Sequence, residues 1–121
     1  MIGPVPIGVL IVDDNSRFRL RARCWLEAGG YEVVGEAADG ASALEAVRRR
    51  RPDVVLLDIV LPDVSGLSLA EQLAGYPDPP AVVLTSTHDA ADFGERLSRS
   101  GARGFLPKAE LSGERLSALL A

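Results

Sequence analysis

Cysteine is almost missing from this chain. Cys24 stands alone among 121 residues, so no internal disulfide can form and a disulfide-stapled secreted scaffold is excluded. No apolar run approaches the ~20 residues that span a bilayer, so no membrane association is expected. The N-terminal Met1-Ile2-Gly3-Pro4-Val5-Pro6 lacks the basic and apolar regions of an export signal. Positive charge is in deficit: the formal net charge is −4, which gives no general attraction to nucleic acid or anionic lipid. Histidine occurs once, as His88, in a polar loop where nothing pairs it with a nucleophile. Repeats and low-complexity tracts are absent. These features together describe one cytoplasmic globular domain of ordinary composition.

What the chain does have is a set of short apolar runs that end in polar residues. Val54-Val55-Leu56-Leu57 ends in Asp58, and Gly8-Val9-Leu10-Ile11-Val12 ends in Asp13-Asp14. Ala81-Val82-Val83-Leu84 leads to Thr85-Ser86-Thr87, and Arg103-Gly104-Phe105-Leu106 to Pro107-Lys108. Continuous apolar runs of this length read as strands buried on both faces. A further strand is expected over 31–38, weakened at Gly35.

Helices fill the gaps between them. Asn15 or Ser16 caps a helix whose inward stripe is Phe18, Ala22, Trp25 and Leu26, with Gly29-Gly30 as its stop. Cys24 on this helix is read as a small buried apolar residue. Asp39 caps a helix over 40–50 with Ala43, Leu44 and Val47 inward, and Pro52 ends it. Another helix runs over 67–75, with Leu69, Ala70 and Leu73 inward. Ala90, Phe93, Gly94 and Leu97 trace a helix face that Gly101 stops. The last helix covers 111–120, with Leu116, Leu119 and Leu120 inward. Residues 1–7 form an extended N-terminal arm. Five alternations of strand and helix imply a doubly wound five-stranded parallel α/β sheet with five helices.

In such a sheet ligands bind beyond the carboxyl ends of the strands. Asp13, Asp14, Asp58, Thr85 and Lys108 all fall there. Carboxylates sharing one cleft repel, by about 4 kcal/mol per pair at ~4 Å and an effective dielectric of 20. A protonated acid or a cation relieves this, and an all-oxygen, water-exposed cluster suits Mg²⁺. Asp58 beside Mg²⁺, Lys108 and a hydroxyl is suited to accept a phosphoryl group as an aspartyl phosphate. Residue by residue, plainer readings stand beside this one. Asp13-Asp14 suits a helix cap, Asp58 a turn, Lys108 a solvated strand end, Thr85 an ordinary strand residue and Phe105 a core residue. Arg48 to Arg51 suit a helix C-terminus, where cations are favoured, as well as a nucleic-acid patch.

The segments VLIVDDN at 9–15, VVLLDIVLPDVSG at 54–66, VVLTST at 82–87 and GARGFLPK at 101–108 resemble the receiver domain of two-component response regulators, the CheY-like fold. The later segments look most like its LuxR-type (NarL/FixJ-like) subfamily. The resemblance implies a flavodoxin-like strand order 2-1-3-4-5 and one receiver domain over 1–121. It implies phosphoryl transfer from a sensor histidine kinase to Asp58. Asp14 and Asp58 would bind Mg²⁺ directly, Asp13 mostly through water, and the Val60 carbonyl would complete the set. Thr85 would be the switch hydroxyl and Phe105 the aromatic that follows it. Homodimerisation on activation, and DNA contact only through an output domain not in this chain, are implied as well. Such a domain is not an enzyme on other molecules; it catalyses its own phosphoryl transfer and hydrolysis.

The chain departs from the family at Ala109, where a proline is frequent, so a trans bond is expected after Lys108. Pro107 precedes the lysine and lacks a ladder donor, so the last strand is expected to end there. Two rival readings remain at this stage: a phosphorylation-independent interaction module, and an aspartyl phosphohydrolase. The second would need an acid two residues after Asp58, where Val60 stands. In resembling receivers Val60 and Thr87 also influence how readily water attacks the acyl phosphate.

Overall fold

The computed structural model of the chain describes residues 5–121. Of the expected N-terminal arm, residues 1–4 lie outside the described residues, and 5–7 are exposed and irregular. Five strands, β1 (Gly8–Val12), β2 (Glu32–Ala37), β3 (Val54–Asp58), β4 (Ala81–Ser86) and β5 (Gly104–Pro107), form one sheet in the order β2-β1-β3-β4-β5. Every pairing is parallel. The connecting helices are α1 (Ser16–Ala28), α2 (Gly40–Arg50), α3 (Gly66–Ala74), α4 (Arg96–Arg99) and α5 (Gly113–Leu120).

The strands alternate with period two between two cores. Val9 and Ile11 of β1, Val54 and Leu56 of β3 and Val83 of β4 meet Phe18, Ala22 and Leu26 of α1 and Leu116 of α5. Leu10 and Val12, Val55 and Leu57, and Val82 and Leu84 point the other way, onto Ala43 and Val47 of α2 and Leu67, Leu69, Ala70 and Leu73 of α3. Both faces of β1 and β3 are thus covered, which is why these strands carry no polar residue until their ends.

The helix boundaries follow local chemistry. The Asn15 side chain accepts from the Arg17 and Phe18 amides, Asp39 from Ser42, Ser65 from Leu67 and Ser112 from Arg115. Gly30 and Gly101 take positive φ, 89° and 80°, just after their helices. The β1–β2 register slips at Val34, next to the Gly35 weak point. β5 ends at Pro107, and no cis peptide occurs among the described residues.

Three expectations need correction. Trp25 is 38% exposed rather than core. The buried stripe of α1 centres on Ala22, so Trp25 lies on its border, with the Arg21 guanidinium 5.8 Å from the indole ring. Cys24 is exposed rather than buried, because two residues beyond Ala22 a helix points roughly 200° away. The helix expected through Ala90, Phe93, Gly94 and Leu97 is broken. Ala90–Phe93 is a 3₁₀ turn, Gly94 follows with φ 57°, and only Arg96–Arg99 is α-helical. Left-handed backbone at Gly94 cannot continue a right-handed helix.

Candidate functional site

Parallel register brings the strand ends to one rim. Val12 pairs with Leu57 and Asp58 with Thr85, so Asp13 follows its strand out beside Asp58. Ser86 pairs with Pro107, which puts Lys108 one step past the last rung. Asp13, Asp14 and Asp58 each offer a carboxylate oxygen to a cluster within 4.8 Å. Asp13 and Asp58 are buried, whereas Asp14 is exposed.

Lys108 enters this cluster from β5. Its Nζ forms an ion pair with Asp13 Oδ2 at 2.5 Å and donates to Asp58 Oδ2 at 3.2 Å. The other Asp58 oxygen, Oδ1, accepts from the Val60 amide at 3.2 Å. Asp13 Oδ1 accepts from the Asn15 amide at 2.9 Å. Burial first, and the Asp13 charge second, push the Asp58 carboxyl above the usual carboxylate range; Lys108 and the Val60 amide offset this only in part. Burial would lower Lys108, but Asp13 and Asp58 outweigh it and hold the ammonium above its ordinary value. It therefore stays charged.

The Thr85 hydroxyl is buried with no hydrogen-bond partner among the described residues. Leaving such a group unmet costs about 1–3 kcal/mol, so its site is suited to an added acceptor. Phe105 pairs with Leu84, one residue before Thr85, and its half-buried ring lies 6.3 Å from that of Phe93. Val60 turns its side chain to solvent, 56% exposed. His88 is tied locally, its amide donating to Ser86 Oγ at 3.0 Å and its ring meeting Phe93 edge-on.

Two supporting residues were not legible in the sequence. The Phe18 ring lies 4.6 Å below Lys108 Nζ, a cation–π seat that helical periodicity reads only as core. Arg19 Nη1 donates to the Asp13 carbonyl at 2.6 Å and its Nε to Glu36 at 3.0 Å. That reach across β2 has no signature in spacing.

The donor set fits a hard divalent cation. Three carboxylates and one ammonium leave two formal negative charges, and every carboxylate ligand atom is oxygen. Among the described residues no helix is long and apolar enough to cross a membrane.

Comparison with known proteins is consistent with this geometry. The family model for the response regulator receiver domain matches residues 9–120. The relative named "Probable transcriptional regulatory protein NarL", of Mycobacterium tuberculosis, is 37% identical over 118 residues, 97% of this chain and 55% of that protein. The transcriptional regulatory protein PdtaR of the same organism is 38% identical over 104 residues, 86% of this chain and 50% of that protein. The chain thus spans about half the length of these relatives. The solved signal receiver domain of the M. tuberculosis NarL superposes with a TM-score of 0.86 at 35% identity, covering 98% of this chain and 99% of that one.

Proposed function

The chain belongs to the response regulator receiver domain family of two-component systems, and from that premise we propose that Asp58 is its phosphoryl acceptor. The observation that carries this is the grip on Asp58: Val60 N–H on one oxygen, Lys108 on the other, and acids alongside. One Asp58 oxygen attacks the phosphorus of a phosphohistidine on a sensor kinase. The P–N bond breaks, its electron pair returns to the imidazole nitrogen, and that nitrogen takes up a proton. Asp13, Asp14, Asp58 and the Val60 carbonyl are the residues that would hold Mg²⁺. When bound, the ion would neutralise the acids and draw charge from the phosphoryl oxygens. Lys108 binds an equatorial phosphoryl oxygen once Asp58 is phosphorylated. The unmet Thr85 hydroxyl donates to another, and Phe105 follows as the β4–β5 edge tightens.

The added group carries about −1.5 to −2 charge. It biases a two-state surface on α4, β5 and α5 towards a homodimer. DNA would be reached only through an output domain outside the sequence described. Residues 8–121 act as one receiver unit in the cytoplasm, where the kinase's phosphohistidine is presented. Its chemistry is confined to its own phosphoryl transfer and acyl-phosphate hydrolysis.

The test is incubation with acetyl phosphate, with and without Mg²⁺, followed by intact mass. One phosphoryl group should add only with Mg²⁺, and none to Asp58→Asn. A label that survives Asp58→Asn, or that ignores Mg²⁺, refutes the assignment. Unchanged dimerisation and output in Asp58→Asn would favour the phosphorylation-independent module.

A further inference from the structure

The loop between β3 and α3 is held in an unusual way. It is closed at its base by Gly66 N–H donating to the Ile59 carbonyl at 2.7 Å and by an antiparallel bridge between Val60 and Ser65. Its apex, Pro62 and Asp63, is exposed, so no apolar burial fixes it. Instead the Asp63 carboxylate spans to another element. Oδ1 accepts from the Gly40 amide at 2.8 Å and Oδ2 from the Ala41 amide at 3.1 Å. These are orphan donors of the first turn of α2, which contains no acid of its own. The approach is close enough that a Cβ on Gly40 would collide with Val64 Cγ1 and crowd both Asp63 oxygens.

The same loop touches the phosphoryl acceptor, since Val60 N–H donates to Asp58 Oδ1. We propose that Asp63 is a positioning residue, latching this loop onto the start of α2 so that the Val60 peptide stays seated against Asp58. The inference rests on the acceptor reading above and extends it to a residue outside the acidic cluster. Asp39 already caps α2 through Ser42, so the helix does not need Asp63 in order to form. What the Asp63 contacts add is a tie between two elements 22–23 residues apart. The amides hold the Asp63 carboxyl below the usual carboxylate range, as expected of an acceptor of two backbone donors. Without the tie, the exposed apex is held only by its base, by Leu61 against the core and by Val64 beside Gly40; it opens locally, and the Val60 amide and carbonyl lose their fixed orientation.

Amide hydrogen exchange and Mg²⁺ titration, both followed by NMR, test this on Asp63→Ala and Asp63→Asn without any phosphodonor. In Asp63→Ala the Gly40, Ala41 and Val60 amides should all exchange faster while those of β1 and β3 keep their protection. Mg²⁺ should bind about tenfold more weakly, as when a partner of a metal-site group is removed. Asp63→Asn keeps one acceptor and should fall between. Faster exchange at Gly40 and Ala41 with Val60 exchange and Mg²⁺ affinity unchanged would overturn the latch, leaving a helix cap only. If the parent takes no label from acetyl phosphate but Val60 still responds to Asp63→Ala, the acceptor reading fails and the latch stands.

Discussion

Glu36→Gln isolates one electrostatic device that supports the site. Glu36 Oε1 pairs with Arg19 Nε at 3.0 Å and Oε2 with Arg23 Nη2 at 2.8 Å, and the Arg19 guanidinium also holds the Asp13 carbonyl. Coulomb's law at an effective dielectric of about 20 assigns about 5 kcal/mol to a pair 3 Å apart, which solvent and side-chain entropy cut sharply. Exposed pairs retain about 0.2–1 kcal/mol, and charge-assisted hydrogen bonds up to about 1.5–3. The Arg19 and Glu36 side chains are 19% and 30% exposed and Arg23 is 35% exposed, and Arg23 supplies two of the three hydrogen bonds to Glu36. The variant should lose about 2 kcal/mol, a fall in Tm of roughly 8 °C. Burial alone would raise the Glu36 carboxyl, but its bonds to Arg23 and Arg19 win and hold it low. A depressed acid stabilises the fold above its unfolded value, near 4.3, and loses that contribution as pH falls through the folded value. The gap between parent and variant in urea unfolding should therefore be full at neutral pH and close below about pH 4. It should also shrink at ~1 M salt, where screening reaches about 3 Å. A gap absent at pH 7, or one that widens on acidification, would refute the reasoning.

Gly66→Ala should be severely destabilising, by more than about 3 kcal/mol, because the new Cβ would meet the Asp58 carbonyl oxygen and lie 2.7 Å from Ile59 Cα; thermal unfolding checks this. Phe18→Leu keeps most of the buried volume but removes the ring under Lys108. It should cost about 1 kcal/mol in stability and slow labelling by acetyl phosphate severalfold more than Ala22→Gly, a control at another buried position of α1. Val60 presents an apolar side chain to solvent and cannot orient water, so Val60→Asn should shorten the phosphoryl lifetime; a longer lifetime would show that the steric argument fails.

Much of this protein could be read without coordinates, because strands buried on both faces carry an unbroken apolar signal. β1 and β3 begin and end where those runs do. The caps at Asn15 and Asp39 are local chemistry and follow from residue type. Asp13, Asp14, Asp58, Thr85 and Lys108 were identifiable because each stands where an apolar run stops. Periodicity failed where the surroundings decide: Trp25 at the border of a stripe, Cys24 beyond it, and the segment around Gly94, whose positive φ breaks a pattern that still looks helical.

Sequence alone determined the strands, their polar ends and the acidic, hydroxyl and ammonium groups that a parallel sheet would gather. Only the tertiary structure decided how those groups are held: Lys108 between two carboxylates and over Phe18, Arg19 on the Asp13 carbonyl, Asp63 on the first turn of α2. The physical reason is range. Burial patterns and caps are set by neighbours a few residues apart, whereas these contacts join side chains and amides from different elements. Their partners are fixed by how the elements pack, and no spacing within either element encodes them.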